Sequence, residues 1–130
     1  MLDISNAELD VMQVIWQQHP CTAAQVIERL QQKKDWHEKT IKTLLNRLVT
    51  KGALSHQTQG RAYLYSPCIA QQDYQQQASG SFVQKLFAGR VAPLVASFAR
   101  KHELSAADLA ELKQLVAELE QEQEQQEDKS

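Results

Sequence analysis

The 130-residue sequence lacks the features that mark several large classes of protein. It has only two cysteines, Cys21 and Cys68, which are too few for a disulfide scaffold and favour a reducing, cytoplasmic setting. Its apolar runs extend over only a few residues, so no segment is long enough to form a membrane helix. Residues 1–10 are acidic and polar, and we expect no secretory signal peptide there. These absences favour a cytoplasmic protein with an ordinary hydrophobic core.

Motifs that carry enzymatic chemistry are also missing. The sequence has no glycine-rich phosphate loop, no nucleophile elbow and no HExxH helix. His19 and Cys21 are close in sequence, but structural zinc takes about four ligands at paired spacings, which the remaining His and Cys residues do not show. We therefore expect no catalytic residue, no metal site and no cofactor, and we expect the cysteines to be small core or surface residues.

The formal net charge of −2 argues against a nucleic-acid partner only until its distribution is examined. Between Arg29 and Arg61, eight basic side chains stand against two acidic ones, so this window carries an excess of six positive charges. Residues 67–130 instead hold ten acidic and six basic side chains. A basic window is typical of a surface that binds a polyanion, although a solvated charged face gives the same pattern.

Helical spacing predicts three short helices in the first half of the chain. Capping boxes at Ser5–Glu8 and Thr22–Gln25 start the first two. The third runs from about Glu38 to Lys51, with apolar residues at i, i+3, i+4, i+7 and i+8, and Gly52 is a natural left-handed stop. One face of this helix is therefore expected to be buried and the other exposed.

A change of period follows the third helix. Residues 54–58 and 62–66 have strand-like composition, and Gly60 between them can adopt the positive φ that a hairpin turn needs. Three short helices and a hairpin form the order of a winged helix-turn-helix. The predicted fold class is thus mainly α with a small β-hairpin, and we place a winged-helix domain at residues 1–67.

The second half predicts three more helices with narrow apolar faces. Residues 68–120 are too few to enclose a core of their own, and a two-fold partner is the commonest solution. Folding back on the first domain is the alternative. Residues 121–130 hold no apolar side chain, and we expect a frayed or disordered tail there. The predicted dimerisation surface comprises Phe82, Leu86, Leu94, Val95, Phe98, Leu109, Leu112, Leu115 and Val116.

The polar face of the third helix is the main candidate site. Lysine and arginine donate to phosphate or guanine, asparagine pairs with adenine, and threonine offers a hydroxyl or a methyl to a base. A recognition helix enters the major groove near its N-terminal end, which directs Lys39, Thr40 and Thr43 toward bases. An ordinary exposed face is the alternative. The predicted face comprises Lys39, Thr40, Lys42, Thr43, Asn46 and Arg47.

Two smaller elements complete the candidate DNA-binding surface. Gln59 and Arg61 lie at the hairpin tip, where Arg61 can reach a backbone phosphate or the minor groove. Thr22 and Ala23 start the second helix and are predicted to offer backbone N–H groups to another phosphate.

The most distinctive string is KTIKTLLNRLVTKG at residues 39–52, preceded by Ile15-Trp16 and followed by Gly60-Arg61 and Tyr65-Ser66-Pro67. In these motifs and their spacing, the chain resembles the penicillinase-repressor family, also called BlaI/MecI/CopY, from about residue 4 to residue 119. The resemblance implies a homodimeric winged-helix repressor that binds short inverted repeats upstream of resistance or homeostasis genes and dimerises through its C-terminal helices.

Three positions depart from that family. Its copper-responsive branch has Cys-x-Cys pairs near the C-terminus, where this chain has Gln and Glu at residues 121–124. Its β-lactam branch is cleaved at an Asn-Phe bond on a signal from a membrane sensor protease, and the corresponding bond here is Ser97–Phe98. A serine often precedes the third helix, where this chain has His37; serine is the better N-cap, so we expect Asp35 or another group to cap the helix.

The sequence therefore predicts a homodimeric, DNA-binding transcriptional repressor that reads an inverted-repeat operator. Two alternatives stay open. One is a winged-helix module for protein contacts without DNA binding. The other is a metal-responsive regulator that uses His19, Cys21 or Cys68.

Overall fold

The computed structural model describes residues 2–129, over which the chain forms six helices and one three-stranded sheet. It divides into two compact units, with the boundary between Ser81 and Phe82. Within the described range, no helix is both long and apolar enough to cross a membrane. The elements are α1 (Asn6–Gln17), β1 (Cys21–Thr22), α2 (Ala23–Gln31), α3 (Glu38–Lys51), β2 (Leu54–Gln59), β3 (Ala62–Pro67), α4 (Gln71–Phe87), α5 (Val91–Lys101) and α6 (Ala106–Lys129).

Both predicted capping boxes of the first unit are confirmed. The Ser5 hydroxyl accepts from the Glu8 N–H at 3.2 Å, and the Glu8 carboxylate accepts from the Ser5 N–H at 3.3 Å. Thr22 and Gln25 exchange the same two bonds at the start of α2, at 3.2 and 2.9 Å. Each box satisfies two backbone N–H groups that a helix N-terminus leaves unpaired, so these short sequence signals fix where α1 and α2 begin.

The start of α3 corrects the expectation that Asp35 or another group would replace His37 as its cap. His37 is the N-cap, and its imidazole Nδ1 accepts a hydrogen bond from the Lys39 N–H at 3.1 Å. An unprotonated imidazole nitrogen can accept such a bond as a hydroxyl does. At the other end, Gly52 has φ of 84° and ends the helix in the left-handed conformation, as predicted.

The hairpin belongs to a sheet with the order β1-β3-β2, and β1 was missed by the sequence analysis. Cys21 pairs with Tyr65 and Thr22 with Leu64. A two-residue strand has no periodicity of its own to recognise, and it exists here because β3 offers a free edge. The pairing anchors the hairpin beside the start of α2.

The turn between β2 and β3 is two residues long, Gly60 and Arg61, since Gln59 pairs with Ala62. Gly60 has φ of 63°, the left-handed value that favours glycine. The predicted role of this glycine is confirmed.

The core of the first unit lies between the three helices and the sheet. The apolar stripe of α3 is buried there, while its opposite face is exposed. This packing decides which side of α3 is available to a partner. The buried apolar residues are Val11, Met12, Val14, Ile15, Cys21, Val26, Leu30, Ile41, Leu44, Leu45, Leu48, Ala53, Leu54 and Tyr65.

The second unit comprises the end of α4, α5 and α6. The turn between α4 and α5 contains Ala88 and Gly89, which both have positive φ. At the start of α6, the Ser105 hydroxyl accepts from the Asp108 N–H at 3.0 Å. None of its side chains is fully buried among the described residues, and Phe82, Leu86, Phe98, Leu109, Leu115 and Val116 are about half exposed.

The C-terminal segment differs from the expected frayed or disordered tail. The helix α6 continues through residues 121–129, and Ser130 lies outside the described residues. Glutamine and glutamate are good helix formers, so this segment can extend an existing helix without any apolar contact. The lack of apolar residues alone therefore does not predict disorder in this segment, because helix propensity favours continuation of α6.

Candidate nucleic-acid interface

All six predicted residues of α3 are exposed and lie opposite its buried stripe. Within residues 2–129, neither Lys39 nor Arg47 has a carboxylate within 4.0 Å, so their charges are not neutralised by an ion pair. Lys42 lies 3.0 Å from Glu38 one turn earlier, an exposed pair that is weak in water. The face therefore presents Lys39, Thr40, Lys42, Thr43, Asn46 and Arg47 as donors and small apolar groups.

The contact made by Thr43 refines its predicted role. Its hydroxyl donates to the Lys39 carbonyl at 3.0 Å, which leaves the oxygen lone pairs and the methyl group for a partner. Thr50 makes the same kind of bond to Asn46 at 3.0 Å, but it lies near the C-terminal end of α3. The two threonines thus differ in position along the helix, but each donates to the carbonyl four residues earlier.

The hairpin tip extends from the sheet as an exposed loop. Gln59 and Arg61 are both exposed, and in the part of the chain that the structure describes no acidic side chain pairs with Arg61. A free guanidinium on a two-residue turn can form paired hydrogen bonds to a phosphate.

The start of α2 agrees with only part of the prediction. Thr22 and Ala23 are half-buried, and the Thr22 N–H donates to Gln25 Oε1 at 2.9 Å within the capping box. This N–H is therefore not available to a phosphate, which corrects the expectation for Thr22. Ala23 is the first residue of α2 and lies at the positive end of the helix dipole.

An aromatic cluster on the hairpin was missed by the sequence analysis. The rings of His56 and Tyr63 lie 4.5 Å apart, and that of Tyr65 lies 5.9 Å from His56. Side chains alternate between the two faces of a strand, and the register pairs His56 with Tyr65, so residues 56, 63 and 65 share one face. The sequence could have indicated this cluster only if the register had been known.

The surroundings of the two cysteines bear on the metal-responsive alternative. Across residues 2–129, no group of three or more His, Cys, Asp or Glu side chains is placed to hold a metal ion. Cys21 is buried and its thiol donates to the Gln18 carbonyl, while Cys68 is exposed. Burial raises the pKa of the Cys21 thiol, which keeps it protonated at neutral pH.

The first unit is thus a winged-helix domain with one basic face. The chain matches the penicillinase-repressor family model over residues 4–118. It is 39% identical over 115 residues to the penicillinase repressor of Bacillus licheniformis, which covers 88% of this chain and 90% of the relative. It is 33% identical over 114 residues to the methicillin resistance regulatory protein MecI of Staphylococcus aureus, covering 88% and 93%. The chain belongs to the penicillinase-repressor family, as its motifs predict.

Solved structures confirm the winged-helix fold of the first half. The solution structure of the DNA-binding domain of the repressor BlaI matches with a TM-score of 0.51 and 46% identity, over 56% of this chain and 89% of that one. Monomeric Bacillus licheniformis BlaI in complex with the blaP half-operator matches with a TM-score of 0.50 and 46% identity, over 55% and 88%.

Proposed function

We propose that this chain is a transcriptional repressor that binds an inverted-repeat DNA operator as a homodimer. The observation that carries the proposal is the two-sided character of α3, which buries its Ile and Leu side chains and exposes a face of Lys, Thr, Asn and Arg. A relative with 46% identity is a DNA-bound repressor, which supports the same role for this face.

On this proposal α3 enters the major groove, which is about 12 Å wide and admits one helix. Lys39, Thr40 and Thr43 face base edges, and Lys42, Asn46 and Arg47 divide between bases and phosphates. The hairpin tip reaches the backbone or minor groove through Arg61, with Gln59 beside it. Ala23 contributes through the helix dipole at the start of α2.

In this proposal the second unit forms the contact with a second copy of the chain. Its half-exposed aromatic and aliphatic side chains are too numerous for an isolated surface, and a second copy would bury them. A dimer also matches the two half-sites of an inverted repeat, whose centres lie about 34–36 Å apart on one DNA face. The proposed interface comprises Phe82, Leu86, Leu94, Val95, Phe98, Leu109, Leu112, Leu115 and Val116.

The same unit offers one route to release of the repressor. Ser97 and Phe98 are exposed and lie inside α5. A cut between them, triggered by a membrane sensor protease, would separate Phe98 from Leu94 and Val95 and weaken the dimer. Incubation of purified chain with sensor-bearing membranes tests this route: a fragment ending at Ser97 supports it, and an intact chain after induction contradicts it.

A binding selection tests the DNA-binding proposal. The full chain is incubated with a randomised duplex library, and the bound fraction is amplified and sequenced. We expect an inverted repeat with half-sites about one helical turn apart. No enrichment would favour a protein-contact module, and enrichment that requires added zinc or copper would favour the metal-responsive alternative.

A further inference from the structure

The wing carries an aromatic surface that no part of the proposed DNA contact uses. His56 pairs across the hairpin with Tyr65, and Thr58 pairs with Tyr63. Because side chains alternate along a strand, all four lie on one face of the sheet. The His56 and Tyr63 rings lie 4.5 Å apart at 53°, and Tyr63 and Tyr65 meet edge to face at 6.5 Å.

The members of this face differ in exposure. Tyr65 is 5% exposed and belongs to the core, whereas Tyr63 is 49% exposed and His56, which pairs with Tyr65, is also exposed. The buried tyrosine therefore supports two rings whose polar atoms a partner can reach.

The aromatic face lies on the hairpin that directly follows the recognition helix. The helix α3 ends at Lys51 and β2 begins at Leu54, so only two residues separate them. Thr58 and Tyr63 are paired next to Gln59 and Ala62, which flank the two-residue turn that holds Arg61. One end of the aromatic face therefore approaches Arg61.

The charge and the hydrogen-bond donors of the hairpin favour an anionic partner. Residues 54–67 include no aspartate or glutamate, so nothing on the hairpin repels an anion. The Tyr63 phenol and the His56 imidazole can each donate to a phosphate oxygen, a common way for tyrosine and other polar side chains to bind the DNA backbone. Arg61 in the adjoining turn adds positive charge for the same backbone.

We infer that His56 and Tyr63 bind phosphates of the operator backbone beside the contact made by Arg61. The inference rests on the proposed DNA-binding function and adds to it two donors that set the position of the wing. A backbone contact carries no base preference, so its loss weakens binding to every sequence alike.

The test compares Tyr63→Phe, which removes one hydroxyl, and His56→Phe, which removes both ring nitrogens and keeps an aromatic ring. Tyr74→Phe is the matched control, because Tyr74 packs on Trp16 at 5.8 Å and loses the same hydroxyl away from the hairpin. Circular dichroism melts of the full chain establish that each variant is folded. Fluorescence anisotropy then measures the Kd for the selected operator duplex and for a shuffled duplex of equal length.

We expect each wing variant to raise both Kd values by about 3- to 10-fold, with the ratio of the two unchanged, and Tyr74→Phe to bind as the unchanged chain does. Unaltered Kd values in both wing variants would overturn the inference while leaving the DNA-binding proposal intact. Weaker binding to the operator alone would also overturn the inference, because it indicates a base contact. A loss of the dimer in sedimentation with normal DNA binding would overturn it as well. If the unchanged chain does not distinguish the two duplexes, the proposed function itself fails.

Discussion

Lys51 Nζ lies 2.7 Å from Glu8 Oε1, and this ion pair joins the last turn of α3 to the first turn of α1. The same ammonium donates to the Asp3 carbonyl at 2.7 Å. Glu8 is 3% exposed and is the one buried charged residue in the described part of the chain. The pair therefore links α3 to α1 one turn beyond Arg47.

Glu8 makes the stability of the first unit depend on pH. Burial alone raises the pKa of this carboxyl, but the hydrogen bonds from Lys51 and Ser5 lower it by more, so the net pKa is below its ordinary value. A lowered pKa means that the carboxylate stabilises the fold above the unfolded-state pKa, and that this contribution is lost as pH falls through the folded-state pKa. We expect Glu8→Gln to reduce the free energy of unfolding at pH 7 by about 2 kcal/mol.

Urea unfolding at several pH values checks this expectation. The difference between Glu8→Gln and the unchanged chain should shrink toward acid pH, where both side chains are neutral. Asp10→Asn is the control, because Asp10 and Lys34 form a longer, more exposed pair at 3.9 Å and should contribute less than about 1 kcal/mol. A pH-independent difference for Glu8→Gln would contradict the assigned role.

The cap of α3 gives a second prediction. A serine in place of His37 offers a shorter and more favourable N-cap acceptor, so we expect His37→Ser to stabilise the first unit by about 0.5 kcal/mol. His37→Ala removes the acceptor for the Lys39 N–H and should destabilise it by about 1 kcal/mol. Chemical denaturation at pH 7.5 orders the three proteins, and equal stability of the alanine and unchanged chains would show that the imidazole does not cap the helix.

Base reading by α3 is tested at Thr43. Thr43→Ala removes the methyl and the hydroxyl from the N-terminal half of the polar face, and we expect about a 10-fold loss of preference at one base pair of each half-site. Thr50→Ala is the control, since it removes the same kind of side-chain bond to the backbone near the other end of α3. Repeated binding selections on the two variants measure the change. An operator sequence shifted equally by both substitutions would indicate an effect on the helix and not on base contact.

Dimerisation is tested on α6. Val116 is 51% exposed and lies on the proposed interface, so Val116→Glu should raise the dimer Kd by more than about tenfold through burial of a charge. Gln114→Glu places the same charge two residues away as a control. Sedimentation velocity over a range of concentrations gives both constants. Equal dissociation in the two variants would place the interface elsewhere.

The sequence and the structure agree best where a structure is specified locally. The boxes at Ser5 and Thr22 and the left-handed stop at Gly52 involve residues within one turn, so their patterns sufficed. The expectation that His37 would not cap α3 was wrong. Residue preferences describe an average over many helices, whereas here one imidazole nitrogen is in the right place to accept the hydrogen bond.

Features that depend on pairing were harder to predict. The strand at Cys21 exists only against Tyr65, and the aromatic cluster requires the register that places His56 opposite the same tyrosine. Neither relationship can be read from spacing along the chain alone. The polar face of α3 was predicted residue by residue, because the buried stripe between Ile41 and Leu48 fixes the opposite side.

The most direct measurement is a salt titration of the full chain on the selected operator and on its shuffled counterpart. Lys39, Lys42, Arg47 and Arg61 supply at most four phosphate contacts per protomer, so the logarithm of the association constant should fall with the logarithm of salt at a slope no steeper than about −7 for a dimer. The account also predicts operator binding at least about 1000-fold tighter than binding to the shuffled duplex. Equal affinity for the two duplexes, or a slope near zero, would contradict it.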